Sequence, residues 1–234
     1  MSKILSNSIF YKIYFYYNLF YRYKAFKKRK TYSQDQEDVF INNYFKNIKS
    51  GFYIDIGSYH PIRYSNTALL YNRGWQGINI DMNQTSVDLF NIVRKRDINI
   101  CAAISSSSRS VTQFTDHIFS PVNTIDEKFS KTISKKLSIK NFSEKKIQTV
   151  TFQQLISENK IAIKPVNFIN IDVESHDFEV LKGIDLTFVK PKLICIELEN
   201  SQLNSNAQKI ENYLKKYGYF LIKRIGLNGI FEKS

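Results

Sequence analysis

Cysteine is scarce in this 234-residue chain: Cys101 and Cys195 are the only two, and both stand inside apolar runs that read as core strands. That scarcity argues against a disulfide-stapled scaffold and fits a reduced, cytoplasmic setting. No Cys/His cluster has zinc-site spacing, and His60, His117 and His176 lie far apart in sequence. Long apolar runs are missing too. The most aromatic stretch, Phe10 to Phe26, is broken by Lys12 and Asn18 and has no small-residue cleavage site. It is expected neither to span a bilayer nor to act as a secretory signal. Acids are absent from residues 1–30, which hold eight Lys and Arg, so the net charge of +13 falls to +5 over the other 204 residues. Most of the basicity is therefore local, which weakens the case for a nucleic-acid partner.

What is present supports one folded domain, residues 31–234, preceded by a basic aromatic segment, 1–30. An apolar fraction of 43% suffices for a full core. Within the first segment, Ile9, Ile13, Tyr16, Tyr17 and Phe20 recur at roughly helical spacing beside Lys27-Lys28-Arg29-Lys30. Such a helix suits either the headgroup region of an anionic membrane at its inner face or packing against protein, on the domain or on a dimer partner.

From Gln36 to Lys46 the pattern predicts a helix with Ser33 as its cap, and the apolar runs 52–57, 77–81, 98–104, 166–172 and 192–198 predict strands joined by helical connections. Thr151-Phe152-Gln153-Gln154 matches a capping box. Asn228-Gly229 is a tight-turn signal, so the last two runs are expected to form an antiparallel hairpin. The predicted fold is α/β, a seven-stranded, mostly parallel sheet with a C-terminal antiparallel hairpin and helices on both faces. Residues 111–147, rich in Lys and Ser, read as an irregular insertion, an inserted lid or a short hairpin rather than a separate domain.

The ligand is read from strand ends. Phe52-Tyr53-Ile54-Asp55-Ile56-Gly57 places a carboxylate and a turn-permitting glycine where open α/β sheets bind small molecules. Asp81 ends the next strand, where a carboxylate accepts from both hydroxyls of an adenosine ribose. The loop Gly57-Ser58-Tyr59-His60-Pro61 lacks the glycine spacing that seats a pyrophosphate, which favours a phosphate-free nucleoside. S-adenosylmethionine has that character, with its adenine beside Cys101-Ala102-Ala103-Ile104.

Five segments, Tyr32 to Asp38, 52–71, 73–83, 97–105 and 168–185, resemble in order and spacing the FkbM-type S-adenosylmethionine-dependent methyltransferases. The resemblance spans about residues 31–200. It implies a class I, Rossmann-like methyltransferase fold and O-methylation of a hydroxyl on a sugar or other metabolite. By position it implies Asp55, Gly57 and Ser58 at the methionyl arm, Asn66 and Thr67 near the same pocket, Asp81 on the ribose with Met82 beside it, and Ala103 at the adenine. Gln34 and Glu37 are expected to close the site. Two positions depart from the pattern: Tyr59 and Ser175 stand where relatives carry glycine.

Transfer to an alcohol needs a base for its proton. Asp172-Val173-Glu174-Ser175-His176-Asp177 supplies candidates: Asp172 or His176 as base, with Glu174 orienting acceptor or base. A divalent metal such as Mg²⁺ on Asp172 and Glu174 would instead acidify the acceptor hydroxyl. The bland alternatives are Asp172 as a helix cap, Glu174 as a turn carboxylate, His60 as a loop residue, Glu197 and Glu199 as a strand-end pair, and the lysines of 128–146 as a solvated face. The competing functions are a nucleic-acid methyltransferase, disfavoured because no Asn/Asp-Pro-Pro-aromatic loop follows the fourth strand, and a membrane-associated interaction protein on an inactive fold. A small-molecule or glycan acceptor is the expected partner.

Overall fold

The computed structural model describes residues 13, 15–17, 19, 21, 30–117, 120–139, 142–198 and 206–234. Ile9, Phe20, Lys27 to Arg29 and Glu199 lie outside the described residues. In chain order the elements of the domain are α1 (Glu37–Tyr44), β1 (Phe52–Ile56), α2 (Ala68–Asn72), β2 (Gln76–Asp81), α3 (Gln84–Val93), β3 (Ile98–Cys101), β4 (Ala103–Ile104), β5 (Ser110–Thr115) and α4 (Glu127–Leu137). They continue as β6 (Ser143–Val150), α5 (Phe152–Glu158), β7 (Phe168–Ile171), α6 (Asp177–Lys182), α7 (Leu186–Val189), β8 (Leu193–Glu197), α8 (Asn206–Lys216), β9 (Tyr219–Ile225) and β10 (Asn228–Lys233).

The main sheet has seven strands in the order β3-β2-β1-β7-β8-β10-β9, with the first five parallel and β10 antiparallel to both neighbours. The central strands β1 and β7 are buried throughout because helices cover both faces. Side chains alternate between the two layers. Ile54, Ile56, Ile169, Ile171, Ile194 and Ile196 pack under α5 to α8, while Tyr53, Phe168, Leu193 and Cys195 meet Ile41 and Phe45 of α1, Leu70 of α2 and Trp75. Phe45 and Trp75 pack ring on ring with centroids 5.0 Å apart. Truncating a buried ring of this kind costs about 3–5 kcal/mol.

The parallel β1/β2/β7 register brings Ile56, Ile80 and Ile171 level at the carboxyl edge. Asp55, Asp81 and Asp172 are therefore delivered to one end of the sheet, where the strand order reverses direction from β1 towards β2 and towards β7. The predicted capping box is present: the Gln154 amide donates to Thr151 Oγ1 at 3.2 Å, and the Thr151 amide donates to Gln154 Oε1 at 2.8 Å.

Several local expectations are corrected. Residues 98–104 are not one strand. The chain leaves the main sheet after Cys101, and Ala103-Ile104 pairs in parallel with Thr149-Val150 of β6 in a second, three-stranded sheet. β2 ends at Asp81, so nothing on the main sheet continues the ladder past Cys101. β3 is an edge strand, which leaves Cys101 exposed, whereas Cys195 is buried. In the stretch 111–147, β5 and β6 form an antiparallel pair, in keeping with the hairpin alternative, and α4 stands between them in sequence. Its Lys/Glu-rich strand β6 hides little side-chain surface, so it shows no period-two apolar signal.

The hairpin turn is made by Gly226 and Leu227, not Asn228-Gly229. Asn228 pairs with Ile225, and Gly226 takes φ +55 at the first turn position, where glycine is favoured. Helix α1 starts at Glu37 after Gln36, and Ser33 is not its cap. Among the described residues no helix is long and apolar enough to cross a membrane.

Candidate active site

The site begins where β1 stops. Gly57 has φ +78, and a Cβ there would lie 1.7 Å from the Asp172 carbonyl, so only glycine lets the ends of β1 and β7 touch. The Gly57 and Ser58 amides donate to Ile80 O at 2.9 and 3.2 Å, which ties this turn to β2.

Asp55 shares the sheet face of Tyr53 and points towards the α1/α2 layer, where polar partners await it. Asn170 Nδ2 donates to Asp55 Oδ1 at 2.9 Å, and Thr67 Oγ1 donates to Asp55 Oδ2 at 2.6 Å. Asn66 Nδ2 donates in turn to Asn170 Oδ1 at 2.9 Å. Behind them stands the fully buried Arg94, donating to Thr67 Oγ1 and Ser65 Oγ at 2.6 Å each and to Pro61 O at 2.9 Å. Burial raises the Asp55 pKa, opposed by the Thr67 hydrogen bond, the Arg94 charge and the Asn170 hydrogen bond. Thr67 is thus a backing residue and does not line the cavity, whereas Asp55 and Asn66 do.

That cavity, of ≈ 260 Å³, runs along the carboxyl ends of β1, β2 and β7. Asp81 Oδ1 accepts from the Asn83 amide at 2.7 Å, and Oδ2 from the Tyr59 amide at 2.8 Å. Burial pushes the Asp81 pKa up to about 6 against these two bonds. Each oxygen keeps a lone pair for a ligand hydroxyl. Ile80, Met82, Ala103 and Ile104 form an apolar wall on one side, and Pro121, Val122 and Ile125 of the insertion supply another. A carboxylate with two acceptor oxygens beside an apolar slot suits the vicinal diol and base of a nucleoside. Gln34, Gly57 and Ser58 also line this cavity.

The β7–α6 loop brings Asp172, Glu174 and His176 into the same cavity. Glu174 and Ser175 have φ of 55 and 73, left-handed values that cost side-chain-bearing residues on the order of 1–2 kcal/mol each. Tyr59, at φ 51, carries the same strain. Both departures from the glycine pattern therefore fall on left-handed backbone. The loop is held by Val173, whose amide donates to Asp177 Oδ1 at 3.0 Å, and by Thr124 Oγ1, which donates to Glu174 O at 3.0 Å. The second bond locks the insertion onto the loop.

Asp172 caps no helix; the N-cap position of α6 is His176. Burial, then the negative charges of Asp55 and Glu37, raise the Asp172 pKa to about 6. His176 Nε2 shares a 3.0 Å hydrogen bond with Ser105 Oγ, and burial lowers its pKa in spite of Glu179 nearby. His60 is a buried loop residue whose Nδ1 accepts from the Ile62 and Arg63 amides at 3.1 and 3.0 Å, and burial lowers its pKa to about 3.

A second recess, of ≈ 190 Å³, shares Gln34, Tyr64, Asn66, Asp172 and Glu174 with the first. It adds Asp35, Glu37, Glu197, Leu227 and Asn228. Its lining thus holds five carboxylates and no basic side chain. Glu37 belongs here and does not reach the main cavity: Oε2 accepts from the Asp35 amide at 2.8 Å and Oε1 from Asn228 Nδ2 at 2.9 Å. Asp38 pins the preceding turn, accepting from Thr31 Oγ1, the Tyr32 amide and Ser33 Oγ at 2.6, 2.6 and 2.7 Å. Gln34 is therefore held over both spaces by its neighbours.

The residues do not fit a metal centre: among the described residues no three His, Cys, Asp or Glu are grouped to hold an ion. Three contributors escaped the sequence reading. Asn170 had a signal, a lone amide inside the apolar run Phe168-Ile169-Asn170-Ile171. Arg94 and the 120–125 wall had none.

The sequence profile of the methyltransferase FkbM domain matches residues 55–221. No curated protein matches the chain. One similar solved structure is a Pyrococcus horikoshii protein named as an RNA methyltransferase, at 10% identity and a TM-score of 0.41, covering 89% of this chain and 95% of that one. A likeness that weak carries no argument about acceptor.

Proposed function

This chain belongs to the FkbM family of methyltransferases, and from that premise we propose that it uses S-adenosylmethionine to O-methylate a hydroxyl of a sugar in a glycan, glycolipid or related metabolite. The observation that carries the reading is the position of Asp172. Its carboxylate faces both the nucleoside-shaped cavity and the acidic recess, and its pKa near 6 suits a base working at neutral pH.

The bound cofactor supplies an electrophilic methyl on a sulfonium. Asp81 accepts the ribose hydroxyls, the apolar wall of Met82, Ala103 and Ile104 takes the adenine, and the Asp55–Gly57–Ser58 turn with Gln34 faces the methionyl arm. Asp172 would take the acceptor proton as the new C–O bond forms and the methyl–sulfur bond of the sulfonium breaks, its electron pair staying on sulfur in the departing thioether, while Glu174 would orient the acceptor hydroxyl. His176 is held neutral, and its Ser105 bond fixes the ring at the far wall. No step runs through a metal.

The recess supports this choice of acceptor class. Five carboxylates with Asn66, Asn228 and the ring of Tyr64 offer acceptors for hydroxyls and a flat face for a sugar ring. The same carboxylates repel phosphates, which disfavours nucleic acid despite the overall positive charge. The test is incubation with S-adenosylmethionine labelled on its methyl, alongside sugar-containing extracts and RNA in parallel. Label in a base-stable methyl ether on sugar is expected. Label confined to RNA, or none in any acceptor from a protein that binds the cofactor, overturns the assignment.

A further inference from the structure

The first thirty residues are not simply an appended charge. Phe15 and Leu19 are buried against Leu89, with Ile92 and Val93 of α3 packed around them. The described residues between 13 and 21 are helical, and at 3.6 residues per turn Phe15 and Leu19 share one side. Ile13, Tyr16, Tyr17 and Tyr21 fall on the other and are 59%, 52%, 51% and 71% exposed. Tyr17 and Tyr21 stack with ring centroids 6.3 Å apart, which joins them into one aromatic surface. The domain thus fixes this segment by Phe15 and Leu19 and turns Ile13 and the tyrosines outward.

We propose that this outward face docks the protein on an anionic phospholipid bilayer. Two properties select that occupant over another protein. Tyrosine is the ring that settles at the headgroup level, with an apolar body and a polar tip. The surrounding thirty residues hold eight Lys and Arg and no acid, which complements a negative lipid surface. Packing on α3 adds a functional consequence. The first turn of that helix carries Ser86, a wall residue of the main cavity, so the docking face and the site are joined through one element. The proposal does not depend on the acceptor assignment.

The test is sedimentation of the full chain with vesicles of phosphatidylcholine alone or mixed with phosphatidylglycerol, at low and high salt, beside light scattering of the protein without lipid. Binding to the anionic vesicles at least tenfold above the neutral ones, and lost at high salt, is expected. A variant with Ile13→Ser, Tyr16→Ser, Tyr17→Ser and Tyr21→Ser keeps Phe15 and Leu19 and should bind at least fivefold less with an unchanged melting temperature. A second variant, with Lys27, Lys28, Arg29 and Lys30 each replaced by Gln, should lose the preference for anionic lipid. Equal binding to both lipids, no binding, or full binding by the serine variant overturns the proposal. So does a dimer that the serine substitutions convert to monomer without altering vesicle binding, because the face would then be a contact between two copies.

Discussion

Asp55 and Asp81 on one side of the cavity and Asp172 on the other are all carboxylates at strand ends, yet they are built differently. Asp55 and Asp81 each have both oxygens held by fixed donors of the protein. Among the described residues no hydrogen bond holds the Asp172 carboxylate, and burial first, then the charges of Asp55 and Glu37 across from it, raise its pKa. Fixed donors lower the reorganisation needed to bind a constant ligand. A buried carboxylate without them keeps its proton affinity, which is what a base requires. On the proposed function, the difference separates a half that would hold the cofactor from a half that would react.

Asp172→Asn attacks that contrast most strongly. Its kcat should fall by about 10²–10⁴-fold, the usual worth of a general base, with the cofactor KM unchanged. In the native enzyme kcat/KM should drop roughly tenfold per pH unit below about 6 and level off above it, and the variant should lose this dependence. Stability should move the opposite way. The folded state holds the Asp172 proton up to about 6 against an ordinary 3.8, so the native protein loses stability as pH rises through that window. The variant removes the penalty: its advantage should be absent below about pH 4, grow between 4 and 6, and plateau at roughly 1–3 kcal/mol. Equal denaturation midpoints for the two proteins at pH 8 would contradict it.

On the holding side, Thr67→Val keeps shape but removes the donor to Asp55 and the acceptor for Arg94. Chemical denaturation should show a loss of about 1–3 kcal/mol, with weaker cofactor binding and no shift in the pH-rate profile. A shifted profile would mean that the two halves are electrostatically one. The smallest effect belongs to Ser175→Gly, which relieves the left-handed strain and should raise the melting temperature slightly, worth about 1 kcal/mol. A fall in melting temperature would show that the Ser175 side chain outweighs its backbone strain.

The same contrast governs what could be read in advance. The strands β1, β2, β7 and β8 were legible because burial on both faces demands mostly apolar runs, and Asp55 and Asp81 stood out at or near their ends. Of the partners of Asp55, the family resemblance placed Thr67 near the pocket, but Asn170 comes from 115 residues away and only the fold unites it with Asp55. The insertion was less legible for another reason: β6 keeps most of its surface in solvent and has no apolar alternation to declare it, and α4 offers only Phe129, Ile133 and Leu137 at helical spacing in an otherwise polar segment. The 120–125 wall meets the cavity only through tertiary contacts such as Thr124 to Glu174. Its residues carry no chemistry that would single them out in sequence.

Calorimetric titration of S-adenosylmethionine into the wild-type chain, Asp81→Ala and Asp172→Asn tests the division most directly. The account predicts binding by the wild type, affinity within about threefold of it for Asp172→Asn, and a loss of at least about 100-fold for Asp81→Ala, the worth of two charge-assisted hydrogen bonds to ribose. A folded wild-type protein that binds no cofactor, or an Asp81→Ala variant that binds as tightly as the wild type, would contradict it.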